Sequence, residues 1–133
     1  MSTLMPAADV HERFELVAKV TKAFHCANMI KEEQVFIFDL KGRLDAKRSN
    51  APMCLGILAK LQPAMLVIQD RLAEGLHPIS PSFRNFDCFD TGIDHGGTGK
   101  VFVELALVDR STGAPVDAAA YAEIVRQPGT GQA

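Results

Sequence analysis

Lys100-Val-Phe-Val-Glu-Leu-Ala-Leu-Val-Asp109 is the run from which the architecture can be read. Its β-branched and aliphatic side chains alternate. Val101, Val103, Leu105 and Leu107 fall on one face, and Phe102, Ala106 and Val108 on the other, with Glu104 as the only charge inside the run. Two apolar faces predict a strand covered on both sides.

Immediately upstream lies Cys88-Phe-Asp-Thr-Gly-Ile-Asp-His-Gly-Gly-Thr-Gly-Lys100, which places a thiol, carboxylates, an imidazole and four glycines between two strand-like segments. Glycine lets backbone approach a ligand closely, and Cys, Asp and His are the usual metal ligands and proton carriers. Gly96-Gly-Thr-Gly-Lys100 fails as a phosphate-binding P-loop. Its first glycine would fall at Asp94, Val101 follows the lysine, and the loop opens a strand where a P-loop opens a helix. A glycine hairpin or a ligand-site loop involving Gly96, Gly97 and Gly99 remain as readings.

Further upstream, about residues 84–89 read as a strand, reached through the extended His77-Pro-Ile-Ser-Pro81 linker. From Ser49 to Gly75 the chain is helical in character. Ser49 or Asn50 can cap it, Pro52 suits a first turn, and Leu55, Leu58, Leu61, Met65, Ile68 and Leu72 recur at helical spacing. Gly75 supplies the stop, and Pro63 predicts a kink or two consecutive helices. Phe14-Glu-Leu-Val-Ala-Lys-Val-Thr21 alternates as a half-buried strand, with Phe14, Leu16, Ala18 and Val20 inward and Glu15, Lys19 and Thr21 toward water. Gln34-Val-Phe-Ile-Phe-Asp39 reads as a central strand, and Ala118 to Arg126 as a short helix. The expectation is one α+β domain over residues 1–133 with tails at 1–9 and 127–133. It comprises a mostly antiparallel sheet of about four strands, covered on one face by the kinked helix from Pro52 to Glu74.

Composition excludes some classes. A net charge of −2, with no basic block longer than Lys47-Arg48, argues against nucleic acid. No stretch approaches the roughly 18 apolar residues of a membrane span, and the first residues lack the charged and apolar regions of a signal peptide. The expectation is a soluble, cytoplasmic protein. Three cysteines is an odd count without a C-x-x-C knuckle, so reduced thiols in core, ligand or nucleophile roles are expected in place of a disulfide framework.

Cys26, Cys54 and Cys88 each fall at an element boundary, where three segments can converge. With His25 or His95 they would make a tetrahedral Cys₃His set for zinc or iron. The plainer reading is buried thiols packing as small hydrophobes. Cys54, in a first helical turn, has a second reading as a reactive thiol beside that of plain packing. His95 can act as a general base, and Asp90 is its most plausible companion across the loop, although an exposed histidine among glycines is ordinary. His11 and His77 read as surface residues.

The order of these features resembles a family of small, functionally uncharacterised bacterial and archaeal proteins. That family has a Cys before a Gly-x-x-Phe strand, a Pro-x-Cys helix start and a Cys-x-Asp before a final Val-rich strand. The matching stretches are Cys26 to Phe38, Pro52-Met53-Cys54 through Gly75, and Cys88-Phe89-Asp90 through Val108. This chain carries Cys26-Ala27 where the pattern has Cys-Pro, and Glu33 where it has the glycine. The resemblance implies a grouping of the three cysteines and no particular activity.

Three functions are weighed. The first is a ligand- or metal-binding protein using Cys26, Cys54, Cys88, Asp90 and His95. The second is an accessory subunit of a larger enzyme, such as a decarboxylase or other lyase. The third is a stand-alone enzyme with His95 as base and Asp90 as its orienter. The two apolar faces of 100–109 further suggest a homo-oligomer.

Overall fold

The computed structural model describes residues 4–126; the segment 127–133, read above as a tail, lies outside them. Helix α1 (Ala7–Arg13) leads directly into strand β1 (Phe14–Phe24), followed by β2 (Val35–Phe38), α2 (Leu55–Ala73), β3 (Asn85–Asp87), β4 (Lys100–Asp109) and α3 (Ala118–Arg126). The strands form one antiparallel sheet in the order β2-β1-β4-β3. The fold is α+β. Helix α1 begins inside the stretch read as an amino-terminal tail.

The long central pair runs from Phe14 opposite Asp109 to Phe24 opposite Lys100. Leu16, Ala18 and Val20 of β1 and Val101, Val103, Leu105 and Leu107 of β4 are buried in one core with Phe36, Phe38 and Phe86. Ile57, Leu61, Ala64 and Ile68 bring the helix α2 into that core. A register shift between Val20 and Lys22 adds one residue to β1, so that Ala23, not Lys22, returns to the core side.

Several expectations are corrected. The helix α2 starts at Leu55, not near Ser49, because Ser49 and Asn50 serve the neighbouring strand. Asn50 Oδ1 accepts the Val35 N–H at 2.7 Å, and Ser49 Oγ accepts the Ile37 N–H at 2.8 Å. These bonds satisfy donors along β2, which lies at the edge of the sheet and not at its centre. Of the two readings at Pro63, the pair of consecutive helices is not found: helix α2 runs as one element through that residue, whose side chain faces solvent. Its buried stripe passes through small Ala64, and Leu55 is 81% exposed. The helix ends as expected at Gly75, where the Gly75 N–H meets the Leu72 carbonyl and the Leu76 N–H meets that of Arg71.

Glu15, expected in water, is buried and held by the Arg48 guanidinium at 2.7 and 2.8 Å. The second face of β4 is less covered than its sequence suggests. Phe102 is 37% exposed, and Glu104, opposite Lys19, keeps charge in the middle of that face. His77, expected at the surface, is half-buried. Its Nδ1 accepts the Ile79 N–H at 3.1 Å, which leaves the proton on Nε2 to be donated to the Val116 carbonyl at 2.7 Å.

Candidate functional site

Three segments deliver the cysteines. After β1 the chain turns at Cys26, with the Met29 N–H donating to the Cys26 carbonyl at 3.0 Å. It then returns to the sheet through Glu33 N–H to Val20 O and Val20 N–H to Gln34 O. Three non-glycine residues of this loop, His25, Met29 and Glu33, hold left-handed backbone at φ 54°, 63° and 72°. Each such residue costs about 1–2 kcal/mol, so the loop carrying the first thiol is strained. Glu33 stands where the family resemblance has glycine, and its backbone is the kind glycine adopts freely.

Cys54 is the cap residue of the 19-residue helix α2, and its side chain makes no capping bond to that helix. Its sulfur instead accepts a hydrogen bond from Asn28 Nδ2 at 3.1 Å. Cys88 follows β3 and extends the pairing with β4: its N–H donates to the Val101 carbonyl at 3.0 Å, and its sulfur accepts the Val101 N–H at 3.3 Å. Cys54 and Cys88 are buried and Cys26 is half-buried. All three line one cavity of about 180 Å³, together with Asn28, Ile57 and Val101.

The glycine loop closes against this cavity through Gly99. A Cβ at Gly99 would overlap the main-chain carbonyls of Phe24 and His25, so only glycine lets the loop pack on the end of β1. Gly99 and Asp90 also border the cavity. The Asp90 carboxylate, however, organises its own loop. It accepts the Gly92 N–H at 2.8 Å, the Thr98 N–H at 3.1 Å and the Thr98 hydroxyl at 2.9 Å. The Gly92 amide and the Thr98 side chain hold its pKa down at about 2. A Cβ at Gly97 would strike this carboxylate, whereas one at Gly96 meets open space. Lys100 fastens the loop from below, donating to the carbonyls of Cys88 and Asp90 and pairing with Asp87 at 2.9 Å.

His95 does not join the sulfurs. It ends a 3₁₀ turn, Ile93–His95, is exposed, and lines a separate cavity of about 480 Å³ with His25, Phe24 and Phe102. Its carbonyl accepts the Thr91 hydroxyl, and among the described residues no hydrogen bond joins its ring to Asp90. Nor, among the described residues, do three or more His, Cys, Asp or Glu side chains form a ready cluster for a metal ion. The sulfurs thus share a cavity without standing in a ligand shell.

Asn28, Thr98 and Lys100 are site-forming residues that the sequence reading passes over. Asn28 sits two residues beyond Cys26, close enough for a turn to bring both to the same partner, and that proximity was the available signal. For Thr98 and Lys100 the sequence offers no signal of their partners, since both depend on the path of the loop.

No protein-family model, no curated protein and no solved structure matches this chain.

Proposed function

We propose that this is a small binding protein whose site is the thiol-lined cavity, and that its occupant is a thiophilic metal ion, zinc or ferrous iron. The observation that carries the reading is the convergence of Cys26, Cys54 and Cys88, from three separate segments, on one cavity. Thiolates are the protein ligands that such ions bind most readily. Metal binding here would be accompanied by release of the thiol protons. The fourth position would fall to solvent or to a group brought in by the loop. The location of His95 in the adjoining cavity makes it the less suitable fourth ligand.

The test uses cobalt(II), whose charge-transfer absorption reports bound thiolates, titrated into reduced protein prepared without a histidine tag. The expected result is saturation at one equivalent, with the band abolished by Cys54→Ser and retained by His95→Ala. A band no stronger than that of a variant lacking all three cysteines would end the proposal.

A second reading has one observation of its own. Met29, Met53, Leu55 and Phe89 are exposed at 65%, 48%, 81% and 75%, and each neighbours in sequence a residue of the cavity. The Phe89 ring lies against Gly56, beside Leu55. An apolar rim of this kind suits docking on a larger enzyme as an accessory subunit. Retention of a defined large partner, lost in a Leu55→Glu, Phe89→Glu double variant, would favour it over the stand-alone binding protein.

A further inference from the structure

We propose that a second cavity, on the edge of β4 away from β1, binds a free peptide of about three residues that completes this edge by accepting the Leu107 N–H and donating to the Leu105 carbonyl. The cavity measures about 650 Å³ and shares no lining residue with the thiol-lined one, so the inference stands independently of the metal reading.

The register shows which main-chain groups are open. The Arg110 N–H donates to the Arg13 carbonyl at 2.9 Å, in the same register that sets Val17 opposite Ala106. Even-numbered residues in this half of β4 therefore bond β1, and odd-numbered ones face the other edge. There the Leu105 N–H donates to the Arg84 carbonyl at 2.8 Å, and the Leu107 carbonyl accepts the Val116 N–H at 2.8 Å. The two groups between those bonds, the Leu105 carbonyl and the Leu107 N–H, have no hydrogen-bond partner among the described residues. Each has a local cause. The chain before Arg84 bends at the Ser80–Phe83 turn, and the Val116 carbonyl, which a continued ladder would offer to Leu107, is taken by His77 Nε2 at 2.7 Å. Leu105 and Leu107 are buried residues, whose main-chain polar groups almost always find a partner. Both line the cavity, and its volume is that of a small-ligand pocket.

The gap selects its occupant. A carbonyl and an N–H two residues apart on one edge are the groups that an extended chain bonds in a sheet. A long strand is excluded, because Arg84 at one end and Val116 at the other already occupy the edge. A short antiparallel peptide gives the carbonyl of its first residue to Leu107 and the N–H of its third to Leu105, so its amino end lies toward Asp117 and its carboxyl end toward Arg84. The charges match that polarity. Asp117 accepts the Ala120 N–H through Oδ1 at 2.8 Å, and Arg84 meets Glu104 only at 3.7 Å. Arg71, its Nε fixed to the His77 carbonyl at 2.7 Å, brings a second guanidinium to the cavity. A parallel peptide would set its carboxylate against Asp117. Ile79, Pro81, Pro115 and Ala120 supply apolar wall for side chains.

The test follows the backbone amides of the full, reduced chain by NMR as the tripeptide Ala-Leu-Ala is added. The expected result is a saturable shift of the Leu107 amide with a Kd of about 1 mM or tighter, while the amides of Cys26, Cys54 and Cys88 stay in place. Methylation of the nitrogen of the third peptide residue, which removes only the donor to Leu105, should weaken binding about tenfold, and amidation of the carboxyl end about threefold. Arg84→Gln should abolish the difference between the acid and the amide. Asp117→Asn, which keeps the cap of α3, should abolish the difference between the free and the acetylated amino end. Absence of a saturable shift at Leu107, equal affinity for the methylated peptide, or the same shifts produced by sodium acetate alone would each overturn the inference. Cobalt titration reads the other cavity, so either proposal can fail without the other.

Discussion

Glu33 shows how one residue carries both strain and information. Its φ of 72° places an L side chain where glycine is at ease, and its N–H is held by the Val20 carbonyl at 2.9 Å. Glu33→Gly is therefore expected to stabilise the protein by about 0.5–1 kcal/mol, read from the urea midpoint, because removal of steric strain outweighs the added freedom of the unfolded chain. The exposed contact of Glu33 with Lys19, at 3.4 Å, contributes too little to reverse that sign. A lowered midpoint would show that the loop is not strained there. Gly99→Ala is expected to do the reverse, costing about 2 kcal/mol or more, since the new methyl meets main-chain carbonyls that cannot rotate away. Thermal unfolding of the pair of variants measures both. At this scale the sequence was partly legible: the cysteines stood at element boundaries and do converge, whereas the engagement of Asp90 with Gly92 and Thr98 depends on a loop path that spacing does not reveal. His95 was grouped with the sulfurs by nearness in sequence, but the 3₁₀ turn and the reversal at Gly96 bring it to the adjoining cavity.

Among the elements, α2 keeps most of the stripe read from its sequence. Leu61 and Ile68 are buried and Leu58, Met65 and Leu72 pack partly buried against the core, whereas Leu55 is exposed. Ile57 and Ala64, outside that stripe, are buried as well and widen the inward face. Ile68→Ala should accordingly cost about 2–5 kcal/mol and Leu66→Ala, at an exposed position, less than about 0.5 kcal/mol. Equal losses in chemical denaturation would mean that the helix is rotated. Pro63 lies inside the helix, where it deprives the Ala59 carbonyl of its donor. Pro63→Ala should raise stability by about 1–3 kcal/mol, and a lower midpoint would mean that the proline fixes a needed bend. The helix start was illegible because Ser49 and Asn50 are equally good caps and edge-strand partners, and only the tertiary structure chooses between those uses. By contrast, β1, β4 and α3 were legible as elements, and so were the inward positions Phe14, Leu16, Ala18 and Val20 of β1, whereas the two apolar faces of β4 did not tell which would be the less covered.

The whole molecule is fastened at the sheet end opposite the thiols by carboxylates paired with arginines. Arg13 donates to Asp109 at 2.8 and 2.9 Å, and this bond, aided by Ser111, holds the Asp109 pKa far below the usual carboxylate range. A carboxylate with a depressed folded pKa gives its full stabilisation above the unfolded value of about 3.9 and loses it as pH falls toward the folded one. Asp90 titrates in the same direction, with its value at about 2. Stability should therefore be insensitive to these two groups above about pH 5 and decline from about pH 4 downward. Asp109→Asn should be less stable than the parent at neutral pH and show a shallower acid decline; an unaltered slope would remove Asp109 from the account. The antiparallel sheet was legible at this scale, but the burial of Glu15 was not. It depends on Arg48 arriving from a distant turn.

The claim on which the rest depends is that Cys26, Cys54 and Cys88 can act on one small object at once. Arsenite condenses with three thiols by loss of water, so the sulfur coordination number of arsenic bound to the reduced protein, read by X-ray absorption, tests it directly. Three sulfur neighbours at one arsenic per chain is the expected result, and two or fewer, or no stoichiometric uptake, would contradict it.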